Sequence, residues 1–114
     1  MVISSVGAVV LVPFPFSDLS QSKLRPAVVL ADAGKSDFVL CQVTSKAYAD
    51  ARAIELTDAS FSTGSLRVVS YARPGKLFTA NKSLLVSQVG ELTEDALEQI
   101  VDAVVELLRE GLKT

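Results

Sequence analysis

Apolar residues fall in short, β-branched runs through most of the chain and switch to a three- and four-residue spacing at its end. The first run, Gly7-Ala8-Val9-Val10-Leu11-Val12-Pro13-Phe14, has no helical period and predicts a strand buried on both faces or nearly so, with Pro13 marking its end or an exposed edge. Residues from Pro15 to Leu24 are small and polar and predict a loop longer than a hairpin needs. A second strand follows over Arg25-Pro26-Ala27-Val28-Val29-Leu30-Ala31, with Pro26 near its start, where a missing donor does least harm. A third is predicted from Asp37 to Ser45 and a brief fourth over Ala53 to Leu56. The last strands are read over Ser65 to Tyr71 and Leu77 to Thr79, divided by Arg73-Pro74-Gly75-Lys76, whose central Pro-Gly fits a type II turn.

Leu97, Ile100, Val101, Val104, Leu107 and Leu108 then recur at helical steps with acids between them, which predicts one amphipathic helix. Thr93 is a good N-cap, Glu94 and Asp95 suit the positive end of the helix dipole, and Gly111 lies near the expected stop. Repeated short strands with polar turns, closed by one helix, predict a mainly β fold, a small barrel or strongly curved sheet. With 114 residues the chain is expected to form a single domain over 1–114, the barrel over 1–90 and the helix over 93–112.

Composition changes this picture little: about half the residues are apolar (49%) and 21% are charged, enough for a filled core and against disorder. Charge distribution changes it more. Nine basic residues oppose six acidic ones over positions 1–90, whereas two oppose seven over 91–114, so the acidity belongs to the tail segment and the body is mildly basic. A phosphate-binding face on the body and an ordinary solvated acidic helix both fit that asymmetry. No signal peptide or membrane span is apparent, and a cytoplasmic protein is expected.

The chain has no histidine and one cysteine, which removes the commonest general base, the commonest metal ligand and any internal disulfide. Cys41, in the run Phe38-Val39-Leu40-Cys41, is expected to be a buried core thiol. The six glycines are isolated, so no phosphate-cradling loop is present. No metal and no cofactor is expected. Chemistry open to Arg, Lys, Thr, Ser, Asp and Glu alone includes RNA cleavage, because RNA supplies its own nucleophile in the 2′-hydroxyl. A guanidinium can hold two phosphate oxygens and a threonine hydroxyl can donate to another.

The order Gly7 to Phe16, then Arg25-Pro26-Ala27-Val28-Val29-Leu30, then Gln42-Val43-Thr44-Ser45 resembles the MazF/PemK toxin family. The resemblance continues through Ser65-Leu66-Arg67-Val68-Val69, Leu77-Phe78-Thr79-Ala80-Asn81-Lys82 and Val89-Gly90-Glu91-Leu92-Thr93, nearly the whole chain. It implies an SH3-like small barrel of the MazF/PemK (CcdB-like) type with a C-terminal helix. It further implies a homodimer and a metal-independent endoribonuclease that cuts single-stranded RNA to a 2′,3′-cyclic phosphate and a 5′-hydroxyl. A cognate antitoxin with an acidic C-terminal tail is the implied partner.

The same resemblance puts Arg25 and Thr44 at the scissile phosphate. RNA contacts are assigned to Ser17, Gln21 and Lys23 after the first strand, to Ser45 and Lys46 after the third, and to Arg73 and Lys76. Without it, Arg25 would be an ordinary strand-capping charge and Thr44 an ordinary β threonine. Phe14 and Phe16 fit base stacking as well as core packing, the latter being the commoner fate of a strand aromatic. Two positions depart from the family pattern: Ala8 replaces an acid, and Phe78-Thr79-Ala80-Asn81 stands where many members carry Arg-Thr-x-Asp, leaving Arg73 and Lys76 as the nearby cations. A non-catalytic toxin of the same fold, inhibiting a protein such as DNA gyrase, and an inactive interaction module are the competing functions.

Overall fold

The structure, a computed structural model, describes residues 5–15, 22–47 and 50–113. Its centre is one antiparallel seven-stranded sheet formed by β1 (Ala8–Pro15), β2 (Ser22–Gly34), β3 (Asp37–Thr44), β4 (Ile54–Leu56), β5 (Phe61–Gly64), β6 (Ser70–Asn81) and β7 (Ser87–Leu92). The spatial order is β4-β6-β3-β2-β1-β7-β5, and α1 (Glu94–Gly111) closes the chain. The fold is therefore mainly β, a curled antiparallel sheet with a C-terminal helix.

β1 owes its central place to its side chains. Ala8, Val10 and Val12 join Ala27, Val29, Phe38, Leu40, Ala80 and Leu85 in one buried cluster, while Val9 joins a second with Val28, Cys41, Val43, Leu56 and Ala72. Alternation sends successive residues to opposite faces, so a strand with no polar position from 8 to 12 must be covered on both. The second cluster is sealed by α1 through Ala96 and Ile100. Thr93 caps that helix by accepting from the Ala96 N–H at 3.1 Å.

The sheet corrects several sequence-based boundaries. β2 already begins at Ser22, so Lys23 and Leu24, expected in the loop, are strand residues opposite Phe14 and Pro13. Residues 65–69 are not a strand, while β5 and β7 were unforeseen. Both missed strands are short, polar and glycine-bearing, and they hold because their glycines let the backbones touch. A methyl group on Gly90 would stand 2.7 Å from the Thr63 carbonyl oxygen, and Gly64 pairs with Gly90 at φ +69°.

The predicted turn at residues 73–76 is also absent as a break between strands. β6 runs through it: Ala72 pairs with Val43 and Leu77 with Cys41, so residues 73–76 face Gln42 alone as a wide bulge. Pro74 is fully buried and removes a donor where the ladder has no acceptor for it, and Gly75 lies over Leu107 of α1.

Candidate functional site

Arg25 and Thr44 are 19 positions apart in sequence but meet through the β2–β3 register. Val28 pairs with Cys41 and Ala27 with Gln42. Two further steps along each strand bring Arg25 level with Thr44. The ladder itself stops at Ala27, beside Pro26, which has no N–H to give. The two side chains also share a face: Arg25 alternates with Ala27 and Val29, and Thr44 with Gln42 and Leu40, on the side away from α1. Arg25 is half-buried with an enclosed Nε, and Thr44 is 4% exposed.

Thr44 is oriented by its own backbone. Its Oγ1 accepts the Lys46 N–H at 3.2 Å, so the hydroxyl proton is left to point elsewhere. Ser45 and Lys46 follow on the exposed connection.

A cleft of about 360 Å³ opens on the same side, lined by Pro13, Phe14, Gln42, Lys76, Leu77 and Phe78. Arg25 stands on the strand between two of its walls, since β2 pairs β1 at Val12↔Arg25 and Phe14↔Lys23 and pairs β3 at Ala27↔Gln42. Phe14 and Phe78 form the floor, ring centroids 4.7 Å apart and nearly perpendicular at 81°. An edge-to-face pair fixes both rings. The cleft is thus an apolar slot with an amide and an ammonium at its rim, a shape and chemistry that accept a flat, hydrogen-bonding ring.

The bulge that supplies Lys76 is held from two sides. The Cys41 thiol donates to the Arg73 carbonyl oxygen at 3.2 Å, and Arg73 Nε donates to Asp50 Oδ2 at 3.0 Å in an ion pair. Burial pushes the Cys41 thiol up to about 12, which keeps it protonated and excludes it as a nucleophile. The Asp50 carboxyl is held below its usual range, first by the Arg52 backbone N–H on its other oxygen and then by Arg73. Arg52 in turn reaches Glu110 of α1 at 2.6 Å. The connection after β3 is therefore tied to both the bulge and the helix.

Of the sequence-assigned contacts, the register puts Arg25, Thr44 and Lys23 on the sheet face where Lys76 lines the cleft, and Ser45 and Lys46 follow Thr44 on the exposed connection. Arg73 lies in the same bulge as Lys76, but its guanidinium is turned to Asp50. Ser17, Gln21 and Phe16 lie outside the described residues. Sequence reasoning missed Gln42, although its two-residue spacing from Thr44 signals a shared face. Phe14, which the sequence left between core packing and base stacking, packs against the core and lines the cleft at once.

Comparison with known proteins agrees with this fold. Residues 5–108 match the family model described as PemK-like, MazF-like toxin of type II toxin-antitoxin system. A MazE–MazF structure from Deinococcus radiodurans superposes with a TM-score of 0.73 at 21% identity, covering 95% of this chain and 97% of the other. An endoribonuclease in complex with its cognate antitoxin, from a mycobacterial species, gives 0.69 at 17% identity, with 95% of each chain covered. A MazF toxin of Mycobacterium tuberculosis gives 0.70 at 13% identity over 90% of this chain and 96% of that one. No curated protein matches the sequence at a significant level.

Proposed function

Because the chain belongs to the PemK-like, MazF-like toxin family of type II toxin–antitoxin systems, we propose that it is an endoribonuclease that cuts single-stranded RNA by transesterification. The observation that carries this reading is the placement of Arg25 and Thr44 at one level and on one face of the sheet, beside an apolar cleft fit for a base. The Arg25 fork binds the non-bridging oxygens of the scissile phosphate and stabilises the charge that grows there as the 2′-oxygen attacks. The Thr44 hydroxyl donates to one of the same oxygens. The 2′-oxygen–phosphorus bond forms, the bond to the 5′-oxygen breaks, and a 2′,3′-cyclic phosphate and a 5′-hydroxyl result. Lys23 and Lys76 steer flanking phosphates, and Ser45 and Lys46 extend the track.

The reaction takes place in the cytoplasm, where messages are exposed; no helix of the described residues is long and apolar enough to cross a membrane. The working unit is a homodimer. A cognate antitoxin, by analogy with the complexes formed by the mycobacterial and Deinococcus proteins, silences it by laying an acidic, flexible segment along the cationic face.

The test is incubation with a mixed-sequence single-stranded RNA and the matching DNA in EDTA. RNA alone should be cut, at defined positions, leaving cyclic phosphate ends. Cutting of both strands, or loss of activity on chelation, would remove this reading.

A further inference from the structure

A transverse row of side chains crosses the sheet at the level of Thr44. Tyr71 of β6 pairs directly with Thr44 of β3 on one side and with Glu55 of β4 on the other. Directly paired residues of antiparallel strands place their side chains on the same face with Cβ atoms about 5 Å apart. The neighbouring row confirms the facing: Val43, Ala72 and Ile54 are likewise mutually paired, and all three pack with the cluster beneath α1. Glu55, Tyr71 and Thr44 therefore look the other way, toward the face that carries Arg25. Along the row exposure falls inward, from an exposed Glu55 through a half-buried Tyr71 to a buried Thr44.

The reaction needs a proton on the departing 5′-oxygen, and histidine, its usual donor, is missing from the chain. A guanidinium and an aliphatic hydroxyl hold their protons too tightly, a solvated carboxyl has lost its proton at neutral pH, and the ammonium of Lys76 stands in the bulge rather than in this row. A phenol lies between these extremes. Tyr71 is the phenol paired with Thr44, with Cβ atoms about 5 Å apart, within reach of a phosphate held at the Thr44 hydroxyl.

We propose that Tyr71 is the general acid of the cleavage, giving its phenolic proton to the leaving 5′-oxygen while Arg25 and Thr44 hold the phosphate. As the phosphorus–5′-oxygen bond breaks, that oxygen leaves as a hydroxyl and Tyr71 is left as phenolate. The 2′-hydroxyl proton passes to water, and water reprotonates the phenolate, so no net proton is gained or lost.

The inference rests on the ribonuclease reading, and the experiment separates the two. Wild type, Tyr71→Phe and Arg25→Ala are assayed on an ordinary oligoribonucleotide and on one whose scissile 5′-oxygen is replaced by sulfur, a leaving group that departs without a proton. Tyr71→Phe should cleave the oxygen substrate about 10²- to 10⁴-fold more slowly and the sulfur substrate at the wild-type rate. Arg25→Ala should be slow on both. Equal activity of Tyr71→Phe and wild type on the oxygen substrate would overturn the assignment, as would an equal loss on both substrates, which marks a packing or base-stacking role. A wild type that cuts neither substrate removes the ribonuclease reading, and this one with it.

Discussion

The two faces of the central strands are built from alternate residues of the same segments, yet they obey different rules. Beneath α1, Val28, Cys41, Val43 and Ala72 are wholly buried in one apolar cluster. On the other face, past the apolar cluster of Ala27, Val29 and Leu40, stand Arg25, Gln42, Thr44 and Tyr71, polar groups at graded depths. The helix face is rigid because it is full, and that rigidity holds the polar groups of the opposite face in place. Mutations on the two faces should accordingly separate folding from chemistry.

The largest effect is expected at Arg25. Arg25→Ala should lower RNA cleavage by about 10³-fold, the size seen when one charge-stabilising donor is removed, while the thermal unfolding midpoint moves little. A parallel fall in both would place Arg25 in the scaffold and erase the contrast between the faces.

Ile100→Ala tests the opposite limb. Ile100 is fully buried against the sheet, so its truncation should destabilise the protein by roughly 2–5 kcal/mol in denaturant titration, with specific activity per folded molecule unchanged. Thr44→Val should sit between the two, losing one donor to phosphate and the acceptor for the Lys46 N–H. About a tenfold loss of cleavage is expected, with recovery in Thr44→Ser, which keeps the hydroxyl.

The smallest effect sharpens the account of the bulge. Asp50→Asn should reduce stability at pH 7 by less than about 1 kcal/mol, as for other partly exposed ion pairs. Because the folded-state carboxyl is held below its usual range, its contribution is complete above the unfolded value of about 4 and fades as pH falls through the folded value. The stability gap between wild type and Asp50→Asn should therefore be constant from pH 7 to pH 5 and close in stronger acid. A gap that widened on acidification would contradict the Arg73–Asp50 pair.

Local chemistry was legible from the residues alone. The helix announced itself through the spacing of Leu97, Ile100 and Val104 and through the Thr93 cap, which the structure shows bonded to Ala96. β1 announced two covered faces through its unbroken apolar run, and Cys41 its burial. The motif order also led to the toxin family, which the match over residues 5–108 establishes. β5 and β7 stayed hidden because neither carries an apolar alternation of its own; they exist through backbone pairing across Gly64 and Gly90.

The site divides the same way. That Arg25 and Thr44 are the groups to consider followed from the absence of histidine and from the family motifs. That a bulge offers Lys76 to a cleft, that Arg73 is drawn to Asp50, and that Tyr71 stands beside Thr44 came only with the register of strands distant in sequence. Periodicity and capping are settled by residues within one or two turns of each other. Which strand lies beside which, and at what offset, is set by the shared burial of surfaces from the entire chain.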